Sequence, residues 1–124
     1  MKPILCSTIL LALALGPASA QRAAPGDGPT QTENLGNGMY SVNWGAMGLN
    51  VGVSAGPDGL LLIDDQEEAG VPRLKAELAK ISDKPVRMVI NTHWHFDHVG
   101  GNAEFSKAGA VTIAQTNTRA RLMT

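Results

Sequence analysis

Cysteine is nearly missing from this 124-residue chain; Cys6 is the only one. An intrachain disulfide is excluded, and beyond position 6 no thiolate is present to act as nucleophile or metal ligand. Any metal chemistry must use nitrogen and oxygen donors. An excess of one charge is missing too, since ten basic residues stand against eleven acidic ones. Without a basic stripe or a block of like charge, nucleic-acid binding and a charged interaction tail are not expected. There is no internal repeat, and the length allows one domain. No apolar run reaches the roughly 20 residues that a membrane-spanning helix needs.

The one long apolar run, Ile4 to Leu15, stands at the start. Lys2 precedes it, Gly16-Pro17 breaks it, and Ala18-Ser19-Ala20 has the small-x-small pattern that signal peptidase reads. The run is apolar all round, which argues against a buried amphipathic helix. Residues 1–20 are therefore expected to be a cleaved signal peptide, leaving Gln21 as the first residue of a periplasmic or secreted protein. No stable membrane anchor survives that cleavage. Cys6 lies inside the run rather than at its end, which argues against a lipoprotein signal.

What is present begins with residues 21–34, QRAAPGDGPTQTEN, polar and rich in proline and glycine. They read as a flexible leader. Met39 to Trp44 reads as a short strand, followed by a glycine-rich turn, and Asn50 to Ala55 as a second strand. Gly56-Pro57-Asp58-Gly59 is a strong turn, because proline presets φ and Asp and Gly suit the positions after it. Leu60 to Ile63 then runs apolar into Asp64-Asp65, as the buried second strand of a hairpin. Val71, Leu74, Leu78 and Ile81 recur at helical offsets, with Pro72 in the first turn and Arg73, Lys75, Glu77 and Lys80 on the wet side. Val86 to Ile90 is the next strand. Gly101 to Ala108 reads as a short helix, Val111 to Ala114 as a strand and Thr116 to Leu122 as a further helix. The class is α/β (α+β): antiparallel strands first, then two βαβ units, which require parallel pairing.

Histidine is scarce, and its placement is informative. All three, His93, His95 and His98, fall in THWHFDHVGG at residues 92–101. This stretch leaves the C-terminal end of the Val86–Ile90 strand, where ligands bind in open α/β sheets. Imidazole and carboxylate are good zinc donors. Alternation at a strand exit lets His93 and His95 project to one side and grip one metal. Asp97 and His98 follow where the chain leaves strand geometry, placed to face a second position. Paired metals in hydrolases stand roughly 3.5–4 Å apart and turn a shared water into a hydroxide nucleophile near pH 7. Trp94 and Phe96 are expected to point away and to pack so as to fix the loop. Gly100 and Gly101 are expected to let the backbone turn sharply and approach the metals. A chance cluster or one structural zinc explains the whole pattern less well.

THWHFDH resembles the H-x-H-x-D-H motif of the metallo-β-lactamase superfamily. The surrounding LLLIDD, the helix, VRMVINT and the trailing GGN strengthen the likeness. It extends over residues 35–124, which look like the N-terminal half of an αββα sandwich, a partial copy of that fold. The resemblance implies that His93 and His95 bind one zinc and Asp97 and His98 a second. Asp97 would also orient the attacking water or carry its proton. It further implies that Asp64 supports the ligand loop from behind, with Asp65 as the alternative. Family members draw further histidines and a bridging aspartate from downstream. Here no histidine follows His98 and no aspartate follows Asp97. The chain is therefore expected to be a truncated part of a longer enzyme, inactive alone, with an unpaired sheet edge and an uncovered apolar face.

The expected activity is metal-dependent hydrolysis by a metal-bound hydroxide, on a lactam, lactone, ester or thioester carbonyl of a small molecule. Two alternatives stand beside it. An iron-dependent member doing redox or sulfur chemistry would use the same donors. A non-catalytic metal-binding protein needs no more than the ligands. Specificity in such folds lies in pocket loops, some near Trp44 to Leu49.

Overall fold

The structure, a computed structural model, describes residues 29–44 and 49–124. The expected signal peptide, positions 21–28 of the expected leader and the turn after Trp44 lie outside the described residues. Six strands form one sheet in chain order: β1 Thr30–Gly36, β2 Met39–Trp44, β3 Leu49–Gly56, β4 Gly59–Ile63, β5 Val86–Asn91 and β6 Val111–Ala114. Helix α1 (Val71–Ile81) connects β4 to β5. A single turn, α2 (Phe96–Val99), and α3 (Asn102–Lys107) connect β5 to β6, and α4 (Thr116–Leu122) follows. Strands β1 to β4 pair antiparallel, whereas β4–β5 and β5–β6 are parallel. This is the expected mixed class with its two βαβ units.

One boundary needs correction. Thr30 to Asn34, assigned to the leader, belong to β1 and pair with β2 from Thr30↔Trp44 onward. The strand is polar and exposed along nearly its whole length, so it lacks the apolar alternation that marks a strand in sequence. Backbone pairing at a sheet edge holds it. Its turn is Asn37-Gly38, with φ of 51° and 76°. Two positive φ values make the type I′ hairpin turn, for which Asn-Gly is the preferred pair. That dipeptide was the available signal.

The core lies between one face of the sheet and the helices. Val42, Trp44, Val51, Val53, Leu60, Leu62 and Val89 are at most 2% exposed. Register places Val53, Leu62 and Val89 in one row across three strands. Helix α1 lays Val71, Leu74 and Leu78 on that surface, joined by Phe105 from α3. Trp44 is therefore a core residue and not part of a pocket loop. The periodicity of α1 is as expected, except at Glu77. That carboxylate is buried, accepting from Thr32 Oγ1 at 2.8 Å and from Lys80 Nζ at 2.6 Å. A long edge strand that reaches the helix draws Glu77 out of solvent, which the helical pattern alone does not reveal.

The opposite face of the sheet carries two apolar rows, Leu61–Met88–Val111 and Ile63–Ile90–Ile113. They end in exposure at Val111 and Ile113 on β6. Among the described residues this face is without a covering layer at β6, as the partial sandwich implies.

Candidate metal centre

Parallel pairing of β4 and β5 brings their C-terminal ends out at the same sheet edge. Ile63 stands opposite Ile90, and Asp64 N donates to Ile90 O at 2.9 Å. Beyond that bond the chain turns hard. Asp64 has φ of 62° and Gln66 φ of 76°, left-handed values that cost a residue with a β-carbon about 1–2 kcal/mol. Such strain persists only where surrounding contacts enforce it. At Asp64 those contacts are on the histidine loop.

Asp64 is buried and accepts three hydrogen bonds. Thr92 N donates to Oδ1 at 2.8 Å, and Thr92 Oγ1 donates to Oδ2 at 2.7 Å. Nδ1 of His98 stands 2.8 Å from the same Oδ2. A carboxylate can only accept, so Nδ1 of His98 carries a proton, and in the neutral ring Nε2 keeps its lone pair. That Nε2 lies 3.5 Å from Asp97 Oδ2. Two donors on one tetrahedral zinc stand roughly 3.4 Å apart, given bond lengths of about 2.0–2.2 Å. The pair Asp97–His98 thus fits a shared zinc. Of the two candidate supports, Asp64 is the one bonded to motif side chains.

The three imidazoles gather around His93. Its ring centroid lies 4.0 Å from that of His98 and 4.6 Å from that of His95. The rings therefore stand close to one another in pairs. Among the described residues, however, no three His, Cys, Asp or Glu side chains share a metal-holding arrangement. Trp94 and Phe96 depart from expectation. Trp94 is 44% and Phe96 72% exposed, so neither packs to fix the loop. Trp94 instead meets the His95 ring edge-on at 4.9 Å and carries the Arg121 guanidinium over its face at 5.0 Å.

The loop is fixed from its other side, by backbone. Asp65 N donates to His98 O at 3.1 Å, Asn91 Nδ2 donates to the same oxygen at 3.2 Å, and Gly100 N donates to Gln66 O at 2.8 Å. Asn102 Nδ2 in turn donates to Asn91 Oδ1. The two glycines serve this packing. Both have ordinary helical φ, so the sharp turn expected of them is absent. A β-carbon on Gly100 would overlap Glu68 N, and one on Gly101 would sit 2.6 Å from Asp65 O. Asp65, wholly buried, accepts from Gly101 N through Oδ1 at 2.9 Å. Burial pushes its carboxyl up to about 7, against the Gly101 N–H, with the Asp64 charge adding to the rise. The roles of Thr92, Asn91 and Asn102 carry no signal in the sequence beyond the position of Thr92 beside the first histidine, whereas Asp65, the alternative loop support, does anchor the loop, through the loop's backbone.

The comparisons agree with this architecture. Residues 44–121 match the family model of the metallo-beta-lactamase superfamily. Over 63 residues the chain is 40% identical to the linear primary-alkylsulfatase of Pseudomonas sp. (strain ATCC 19151), covering 46% of this chain and 12% of that enzyme. BJP-1, a subclass B3 metallo-beta-lactamase of Bradyrhizobium japonicum, superposes with a TM-score of 0.66 at 30% identity, over 75% of this chain and 36% of that one. FIM-1, a metallo-beta-lactamase of Pseudomonas aeruginosa in its mono-zinc form, gives 0.64 at 24% identity, over 76% and 45%; that likeness is one of fold. This chain spans less than half the length of each of these relatives. A family model met over more than half of the residues, together with the likeness of fold, leads to one conclusion: the chain belongs to the metallo-beta-lactamase superfamily.

Proposed function

We propose that this chain is the N-terminal part of a metal-dependent hydrolase with two zinc ions, acting on a small-molecule lactam, lactone, ester or thioester. The observation that carries the reading is His98, held by Asp64 at Nδ1 and turned toward Asp97 at Nε2. In this reading His93 and His95 serve one metal and Asp97 and His98 the other. Zinc, when bound, supplies Lewis acidity and a water whose pKa falls toward about 7. Asp97, partly exposed beside His98, would help to hold the second zinc and would offer a carboxylate oxygen to accept a hydrogen bond from water there. Asp64 and Thr92 keep the ligand loop from turning. Four donors do not complete two metal positions, so residues 21–124 alone are proposed to be inactive. Export to the periplasm or beyond follows from the N-terminal signal pattern.

A second reading concerns the substrate. The likeness to an alkylsulfatase adds a sulfate ester to the carbonyl compounds as a candidate substrate. Elemental analysis of the full-length protein, followed by chelation and zinc readdition, tests the reaction class. Turnover of a lactam, a lactone, a thioester and an alkyl sulfate decides the substrate. Activity that survives complete chelation would falsify the hydrolase reading, and iron in place of zinc would favour redox or sulfur chemistry. His95→Ala should abolish turnover; unchanged turnover would mean that His95 is no ligand. Turnover by purified 21–124 with added zinc would refute the proposed inactivity. An N-terminus other than Gln21 on the mature protein would refute the assigned cleavage.

A further inference from the structure

The Thr92 hydroxyl touches two groups. It donates to Asp64 Oδ2 at 2.7 Å, and it lies 3.0 Å from Nδ1 of His93. A hydroxyl has a single proton and two lone pairs. Asp64, as a carboxylate, can only accept, so that proton is committed to it. Toward His93 the hydroxyl oxygen is left as an acceptor. The contact is therefore a hydrogen bond only if His93 Nδ1 carries the proton, which leaves Nε2 with the lone pair.

The same carboxylate oxygen that receives the Thr92 proton also holds Nδ1 of His98. One buried atom, Asp64 Oδ2, is thus connected to two of the three histidines. It reaches His98 directly and His93 through one intervening hydroxyl. We infer that Thr92 is a positioning residue that sets the His93 tautomer, so that Asp64 presents Nε2 of both His93 and His98 to metal. Thr92 touches no reacting atom. Its backbone N–H, bonded to Asp64 Oδ1, fixes the loop whatever the side chain, so the hydroxyl has a separable role. The ring of His95 stands outside this relay, against Trp94 and His93. The inference rests on the metal-ligand reading for its purpose, but the tautomers themselves do not depend on metal.

The experiment uses the ¹⁵N-labelled full chain, metal-free, at a pH above the ordinary imidazole range of about 6.5. Long-range imidazole spectra report which nitrogen bears the proton. In the parent chain, His93 and His98 should both be protonated at Nδ1. Thr92→Val, which removes the hydroxyl at nearly constant volume, should release His93 from that form and leave His98 in it. Thr92→Ser should restore His93. Asp64→Asn should disturb both rings. A role in folding alone would not separate the two histidines in this way. Zinc titration against a chromophoric chelator supplies the second readout. Loss of an outer partner costs roughly 10–100-fold in metal affinity, so Thr92→Val should weaken zinc binding by that factor and Thr92→Ser should not. Should Thr92→Val fail to fold, Thr92→Ala and Thr92→Ser carry the same comparison. Parent His93 protonated at Nε2, or His93 unmoved by loss of the hydroxyl, overturns the inference. Absence of zinc binding by the parent full-length protein sinks the metal reading and leaves the tautomer result standing.

Discussion

Asp64 Oδ2 stands 2.8 Å from Nδ1 of His98, across 34 positions of sequence. The contact joins the end of one parallel strand to the loop that leaves its neighbour, and it orients the imidazole. Asp64→Ala should remove the orientation of His98 and leave the Thr92 N–H without its acceptor. Zinc affinity should fall roughly 10–100-fold. The unsatisfied donor should cost about 1–3 kcal/mol of stability. Competition with a chromophoric chelator and urea denaturation measure the two effects. An unchanged zinc affinity would leave Asp64 with a purely structural role.

Asp65 makes a different contact and predicts a different pattern. Its Oδ1 accepts from Gly101 N, while Oδ2 is buried and, among the described residues, has no hydrogen-bond partner, as is the case for Asn102 Oδ1. Asp65→Asn keeps an acceptor for Gly101 and removes a charge that burial disfavours. It should match or exceed the parent in thermal stability. Asp65→Leu leaves the Gly101 N–H unpaired and should lose about 1–3 kcal/mol. Equal loss in both variants would show that the charge, not the acceptor, matters at this position.

Gly100→Ala and Gly101→Ala test the close contact between the motif and the 65–68 segment. An added β-carbon meets backbone in both cases, and backbone yields only by shifting. A loss of about 1–3 kcal/mol is expected, in the range of overpacked cores. Melting temperature is the measurement. Tolerance of alanine at both positions would mean that the contact is looser than the structure indicates.

Glu77 links stability to pH. Its hydrogen bond from Lys80, then that from Thr32, holds its carboxyl below the ordinary value of 4.5, with burial opposing. A folded-state pKa below the unfolded one contributes stability that is present above about pH 4.5 and is lost as pH falls through the lower, folded value. Glu77→Gln should flatten this part of the acid limb of the stability curve. Proteolysis should then attack β1 sooner, because the bond to Thr32 ties that edge strand to α1. An acid limb identical to the parent's would remove Glu77 from the account.

The exposed ends of the two apolar rows make a further prediction. Val111 and Ile113 lie on β6, 59% and 44% exposed, on a sheet edge of the kind that templates association. Ile113→Lys should lower self-association in light scattering and reduce binding of a hydrophobic dye, with little change in melting temperature. Aggregation unaffected by the lysine would place the sticky surface elsewhere.

Much of this was determined by the sequence alone. Apolar alternation in Met39–Trp44, the apolar run Leu60–Ile63 and the helical offsets of Val71–Ile81 are local signals, because each is written in consecutive residues. The histidine loop was legible for the same reason, its donors being neighbours in the chain. Strand Thr30–Asn34 was not, because an exposed edge strand is held by backbone pairing and carries no apolar period. The burial of Glu77, the exposure of Trp94 and Phe96, and the division of labour between Asp64 and Asp65 were decided only by tertiary structure. Each depends on which distant segment comes within reach: Thr32 of β1 bonded to Glu77 of α1, or the 64–68 turn against the motif. Hydrogen-bond partners separated by some thirty residues leave no periodic trace in the chain. The protonation of two imidazoles therefore became readable only when parallel pairing of β4 and β5 set one carboxylate beside both the Thr92 hydroxyl and the His98 ring.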